Sequence, residues 1–185
     1  MRNTLDVIKE RRSIRKFRKE QIAEAELQTI IESGLYAPSA HNKQTWNFTV
    51  IQNQDTLNEL NTIAKDVAKQ SDNDFLRKMG NNEKFNAFYG APTVILVSGK
   101  DDEKSSVVDC SAATQNMLLA AESINIGSCW VEFVGLAFIG EQSQDLKTKL
   151  NIPEGYTPLH CVLLGYKDME GKAAPRKENA VQYVR

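Results

Sequence analysis

The feature that most constrains this chain is a run from about Lys104 to Ile124 that fits an α-helix with almost no polar face. Ala112, Ala113, Met117, Leu118, Ala120, Ala121 and Ile124 leave only a narrow polar stripe. A helix this apolar and this rich in small residues has to be covered on most sides, by other elements or by a second subunit. The chain therefore has to build layers around it. With 185 residues, 41% of them hydrophobic and 25% charged, one domain can bury a core without disulfide help.

Periodicity supplies the other elements. Leu5 and Ile8 share one face of a helix over about 4–12, capped by Asn3 or Thr4. Leu27, Ile30, Ile31 and Leu35 mark a second helix over about 23–36, which Pro38 stops because the residue before a proline disfavours helical backbone. Trp46 to Ile51 alternates large and polar side chains as a strand does. Leu57, Leu60, Ile63, Ala64 and Val67 give a third helix. Ala91-Pro92 opens a buried strand at Thr93–Val97, and Gly127 is expected to cap the long helix before a strand over 128–133. A short helix near 142–150 and a strand over 157–164 follow, then a basic tail. The order is α-α-β-α-β-α-β-α-β, a single α+β unit over 1–185. Residues 70–90 are polar yet hold Phe75, Phe85, Phe88 and Tyr89. They read as a mobile excursion over a site, the aromatics either walling a pocket or plugging a local gap.

Charge and cysteines exclude some classes. Twenty-three basic against 24 acidic residues leave a net charge of −1, which gives no general reason to bind nucleic acid or a membrane. Met1 to Asp6 lacks the apolar run of a signal peptide, and no apolar stretch is long enough to span a bilayer. Cys110, Cys129 and Cys161 lie far apart without CxxC spacing. They read as reduced, buried thiols of a cytoplasmic protein rather than as a metal cluster with His41 or His160, so no metal site is expected.

Glycine-rich phosphate loops, HExxH and GxSxG are absent, and two histidines leave little room for a His-dependent hydrolase. A cofactor enzyme needs no such side chains, because the cofactor carries the chemistry. Two clusters stand out. Arg11-Arg12-Ser13-Ile14-Arg15 alternates guanidinium and hydroxyl groups at a helix-to-loop junction, which suits either a phosphate or a solvated turn at a helix C-terminus. Ala37-Pro38-Ser39-Ala40-His41-Asn42-Lys43-Gln44-Thr45-Trp46 places small residues beside the amides of Asn42 and Gln44. Those amides fit the heteroatom edge of a planar ligand, or equally tie up a polar loop.

Together, in this order, the two clusters resemble the paired signature of the nitroreductase family. Ala91-Pro92, Gln115 to Ala121, Ile126-Gly127-Ser128-Cys129-Trp130, Leu164-Gly165-Tyr166 and Pro175-Arg176-Lys177 continue the resemblance over nearly the whole chain. The family commonly has proline where Thr45 stands, and many relatives have more glycine after Trp130.

The resemblance implies a mostly antiparallel sheet flanked by helices, with a C-terminal tail reaching the partner subunit of a homodimer. It implies FMN as cofactor and NADH or NADPH as electron donor, with hydride passed on to small electron-poor acceptors such as nitroaromatics or quinones in ping-pong order. Arg11, Arg12, Ser13 and Arg15 of one subunit would hold FMN, joined at its phosphate by Arg176 and Lys177. Pro38, Ser39, Asn42 and Gln44 of the other subunit would meet the ring, and Trp130, Val131, Glu132 and Gly135 would lie along it. Residues 53–91 would be the variable, substrate-facing part. No side chain is implied as a catalyst; the protein holds the nicotinamide about 3–3.5 Å from the ring. Enone reduction, dehalogenation and plain flavin storage share the same contacts.

Overall fold

The structure is a computed structural model, and residues 3–185 are described. Four strands form one sheet in the order β1-β2-β4-β3, from β1 (Trp46–Ile51), β2 (Thr93–Lys100), β3 (Ile126–Val131) and β4 (Tyr156–Tyr166). Every pairing is antiparallel. The helices are α1 (Thr4–Glu10), α2 (Glu24–Leu35), α3 (Gln54–Lys69), α4 (Asp74–Asn81), α5 (Ser106–Ser123) and α6 (Ser143–Lys149), with 3-10 turns at Ala40–Asn42 and Phe133–Phe138.

Both faces of the sheet are covered, so β2 is buried from Thr93 to Ser98. On one face Ile95, Val97, Val162, Leu164 and Ile126 pack against Leu27 and Ile30 of α2 and Ala113, Met117 and Ala121 of α5. On the other, Val94, Leu96, Cys129, Cys161 and Leu163 meet Leu57, Leu60 and Ala64 of α3, Phe88, and the 133–138 turn. A fully buried Leu or Ile contributes roughly 1.5–3 kcal/mol relative to exposure, so these two layers dominate the stability. The apolar run over 104–124 is accounted for on one side: α5 is wedged between α2 and the sheet. Val107 and Val108, 59% and 71% exposed, lie on its uncovered side.

The structure departs from the sequence pattern at several elements. Leu5 and Ile8 do share a face of α1, but it is exposed, and Val7 is the residue turned inward. Asn3 is the cap, accepting from Leu5 N at 2.8 Å. Gly127 does not cap α5. Ile124 ends the helix, and Asn125 takes the left-handed turn at φ 63°. Asparagine tolerates that region because its short side chain bonds locally. Gly127 is instead inside β3, opposite Gly165 of β4. A Cβ at Gly127 would approach Ile14 Cγ2 and Gly165 O to 3.1 Å; one at Gly165 would approach Pro92 Cδ to 2.8 Å and Phe17 Cδ1 to 3.0 Å. The glycine pair thus makes room for the chain that follows α1.

Residues 70–90 are packed rather than loose. Asn73 caps α4, and Gly80 lets it lie against the α3 backbone, where a Cβ would come within 2.7 Å of Lys65 O. Phe88 is buried, and Phe85 meets Phe133 edge-on with ring centroids 5.1 Å apart. Phe85 and Phe88 thus fill a local gap. Phe75 alone stays largely exposed, at 67%.

Candidate functional site

After α1 the chain runs extended along the outer edge of β3. Ser13 bridges Ser128, with Ile14 N donating to Ser128 O at 2.9 Å, and Arg18 N donates to Tyr166 O at 2.9 Å. Ile14 and Phe17 plug into the core. Extended backbone sends alternate side chains to opposite sides, so Arg11, Ser13 and Arg15 share one side. All three act on the Cys129 thiol: burial pushes its pKa up, and Arg15, a hydrogen bond with Ser13, and Arg11 partly offset this. Among the described residues, neither Arg11 nor Arg15 is ion-paired. Arg15 instead lies 5.9 Å from the centroid of the Tyr89 ring. Two unpaired guanidiniums flanking a hydroxyl form an anion-binding donor set.

Arg12 is not part of it. Its Nη1 donates to Lys9 O at 2.6 Å and Arg11 O at 2.7 Å, satisfying carbonyls that the end of α1 leaves without intrahelical partners. Lys16 is likewise engaged, 2.6 Å from Asp168. The chain leaving β4 passes back over this segment: Asp168 N donates to Lys16 O, and Arg15 N approaches Met169 Sδ at 3.3 Å. Arg176 and Lys177 lie farther along, exposed, in a tail without helix or strand. No hydrogen bond or ion pair among the described residues ties them to 11–15.

The second cluster is a tight loop leading into β1. His41, Asn42 and Gln44 all adopt left-handed backbone, at φ 53°, 54° and 50°, a region that costs a non-glycine residue roughly 1 kcal/mol or more. Internal bonds support it: Gln44 N donates to Ser39 Oγ at 3.0 Å and Gln44 Nε2 to Asn42 Oδ1 at 3.2 Å. The main support comes from elsewhere. Asp109, 3% exposed on α5, accepts from Ala40 N (3.0 Å), Thr45 Oγ1 (2.9 Å) and Ser105 Oγ (3.1 Å). Nothing in the local sequence singles Asp109 out, since one acid on a helix ordinarily belongs to a solvated stripe. Pro38, Asn42 and Gln44 are exposed and Ser39 is half-buried.

The third segment ends β3. Trp130 and Val131 are half-buried, Glu132 is exposed, and Gly135 sits where a Cβ would meet Leu159 O at 3.2 Å. Trp130 stacks on His160, whose Nε2 lies 2.7 Å from Thr114 Oγ1. Burial lowers the His160 pKa to about 4, so the ring is neutral at pH 7.

The register fixes how the clusters stand to one another. Ser13 lies beside the Ser128–Leu164–Thr93 row outside β3, whereas Trp46, at the end of the amide loop, is in the Gly99–Thr157 row on β1. These rows are separated by the stretch of β2 from Thr93 to Gly99, about 20 Å along the strands, and the outer strands by about 14 Å across. The guanidiniums and the amide loop of one chain therefore occupy diagonally opposite corners of the sheet.

The class of fold is a doubly covered antiparallel sheet, here with a basic edge at one corner and a strained amide loop at the other. The family model described as "Nitroreductase family" matches residues 8–166, and the chain belongs to the nitroreductase family. A nitroreductase with bound FMN from Bacteroides fragilis is 35% identical and superposes with a TM-score of 0.92, each chain fully covered. A second, with bound FMN from Desulfitobacterium hafniense, is 30% identical with a TM-score of 0.91, again over all of both chains. The NADPH-flavin oxidoreductase of Vibrio harveyi is 31% identical over 95% of this chain and 70% of its own length.

Proposed function

We propose that this chain is an FMN-dependent oxidoreductase that draws on NADH or NADPH and reduces small, flat, electron-poor acceptors such as nitroaromatics or quinones. It would do so as a cytoplasmic homodimer with two equivalent sites. The observation that carries the reading is the convergence of Arg11, Ser13 and Arg15 on one side of the β3 edge, with no carboxylate among the described residues paired to either guanidinium. That donor set fits the phosphate of FMN, a group of nearly two negative charges at neutral pH, and the FMN-bound relatives support it.

In this reading Arg11, Ser13 and Arg15 bind the cofactor of their own subunit, and Arg176 and Lys177 approach its phosphate from the tail. Arg12 contributes by holding the end of α1. Pro38, Ser39, Asn42 and Gln44 of a second copy supply the ring contacts, since the same residues within one chain are a sheet diagonal away. Backbone from Trp130 through Val131 and Glu132 to Gly135 lines the ring. When bound, FMN supplies a ring that accepts hydride from the nicotinamide and surrenders it to the acceptor in the same place, which is the ping-pong order. The side chains contribute position and charge rather than proton transfer.

The test is direct. Purified protein should be yellow, should bleach within seconds to minutes when NADH or NADPH is added anaerobically, and should recover colour on addition of a quinone or nitroaromatic. Colourless protein that fails to take up added FMN overturns the proposal; flavin that neither nucleotide bleaches overturns its nicotinamide half.

A further inference from the structure

We infer that Asp109 is the positioning residue of the amide loop: it holds Asn42 and Gln44 in the conformation in which they receive the flavin ring. The inference rests on the FMN reading proposed above. It starts from a conflict within the loop. Three non-glycine residues in left-handed backbone within four positions, His41, Asn42 and Gln44, would relax toward ordinary conformations unless something outside the loop fixed its two ends.

Asp109 touches both ends. One carboxylate oxygen, Oδ1, takes the backbone N–H of Ala40 at the start of the 3-10 turn; the other, Oδ2, takes the hydroxyl of Thr45 at the last position before β1. Ser105, one turn earlier along the chain, donates to Oδ2 as well. A carboxylate bridging Ala40 and Thr45 fixes the span between them, and that span contains every left-handed residue of the loop. Burial makes the bonds stronger than they would be in water, and leaves the carboxylate no solvent to exchange them for. Asp109 stands on the α5 side of the loop, whereas Asn42 and Gln44 are exposed. The carboxylate supports the loop from behind and does not touch the ligand.

Thr45 makes the arrangement depend on a hydroxyl. A proline at this position would stiffen the turn covalently but bring no hydroxyl. Here the hydroxyl of Thr45 and the carboxylate of Asp109 do that work together, so the two should behave as one unit under mutation.

The experiment uses the full-length protein stripped of FMN, titrated with FMN by flavin fluorescence, with amide hydrogen exchange followed over residues 39–45. Asp109→Ala should raise the FMN dissociation constant by about tenfold or more, the scale set by losing charge-assisted hydrogen bonds. Exchange at Ala40 and Gln44 should accelerate in the apoprotein. Asp109→Asn should recover most of the affinity, because Oδ1 still accepts from Ala40 and the hydroxyls can turn to accept. Should Asp109→Ala fail to fold, Thr45→Val removes one bond at nearly constant shape, and should weaken FMN binding while accelerating the same amides. Folded Asp109→Ala or Thr45→Val protein with unchanged exchange across 39–45, or with unchanged FMN affinity, overturns the inference. Wild-type protein that binds no FMN overturns the function proposed above and the flavin half of this inference with it, while the exchange data still decide whether Asp109 sets the loop.

Discussion

Trp130 lies against His160, ring centroids 4.4 Å apart and planes 28° from parallel, and the histidine beneath it is buried and neutral. This imidazole sits under the segment that would line the cofactor ring, so its protonation bears on both stability and the site. Its pKa falls from 6.5 to about 4 because burial penalises the charged form. The unfolded chain therefore binds the extra proton first, and stability declines as pH drops from about 6.5 to 4, by about 3 kcal/mol if the full shift is realised. Urea unfolding at pH 7.0 and 4.5 should show this loss, and His160→Gln should flatten the part of the slope that titrating carboxylates do not account for. An equal slope in the variant would refute the assignment.

The two arginines next to each other in sequence should separate cleanly in experiment. Arg11→Ala should weaken FMN binding about tenfold or more while leaving the melting temperature of the apoprotein nearly unchanged, since among the described residues its guanidinium makes no ion pair. Arg12→Ala should do the reverse. It removes two bonds to carbonyls at the end of α1 and should cost about 1–2 kcal/mol of stability. Titration and thermal unfolding of both variants suffice, and an interchange of the two effects would contradict the geometry.

Gly165→Ala should act at a distance. The new methyl group meets Phe17 and Pro92, and overpacking of this kind costs about 1–3 kcal/mol. Phe17 follows Arg15 by two residues, so its displacement should shift the guanidiniums and lower FMN affinity along with stability. Retained affinity in a destabilised but folded protein would show that the basic segment is held independently of the glycine pair.

Thiol chemistry offers a simple check of the core. Cys110, Cys129 and Cys161 are all buried and free, and desolvation pushes the Cys110 thiol up to about 12 and raises the other two. Thiolate is the reactive species. Native protein should remain unmodified by iodoacetamide at pH 8 and take up three adducts once denatured, read by intact mass.

Much of this was legible beforehand because periodicity and burial obey the same geometry. Thr93 to Val97 reads as a buried strand and is one; the apolar run around Met117 reads as a covered helix and is one. What escaped the sequence are relations between distant residues. Gly127 reads as a helix stop, since glycine favours positive φ, but Asn125 takes that role and Gly127 admits Ile14. Arg11 and Arg12 are chemically identical, and only the backbone direction after Glu10 decides which reaches outward. Asp109 gives no local signal of its role, because the two loop groups it holds, Ala40 N and Thr45 Oγ1, lie more than sixty residues earlier.

The separation of the guanidiniums and the amide loop to opposite corners of the sheet has a further consequence. If one cofactor is gripped by the first corner of one copy and the second corner of another, it behaves as a cross-link, and release and dissociation become a single linked equilibrium. Dilution would then strip the flavin as surely as mutation, and excess flavin would hold the dimer together at concentrations where the bare chains part.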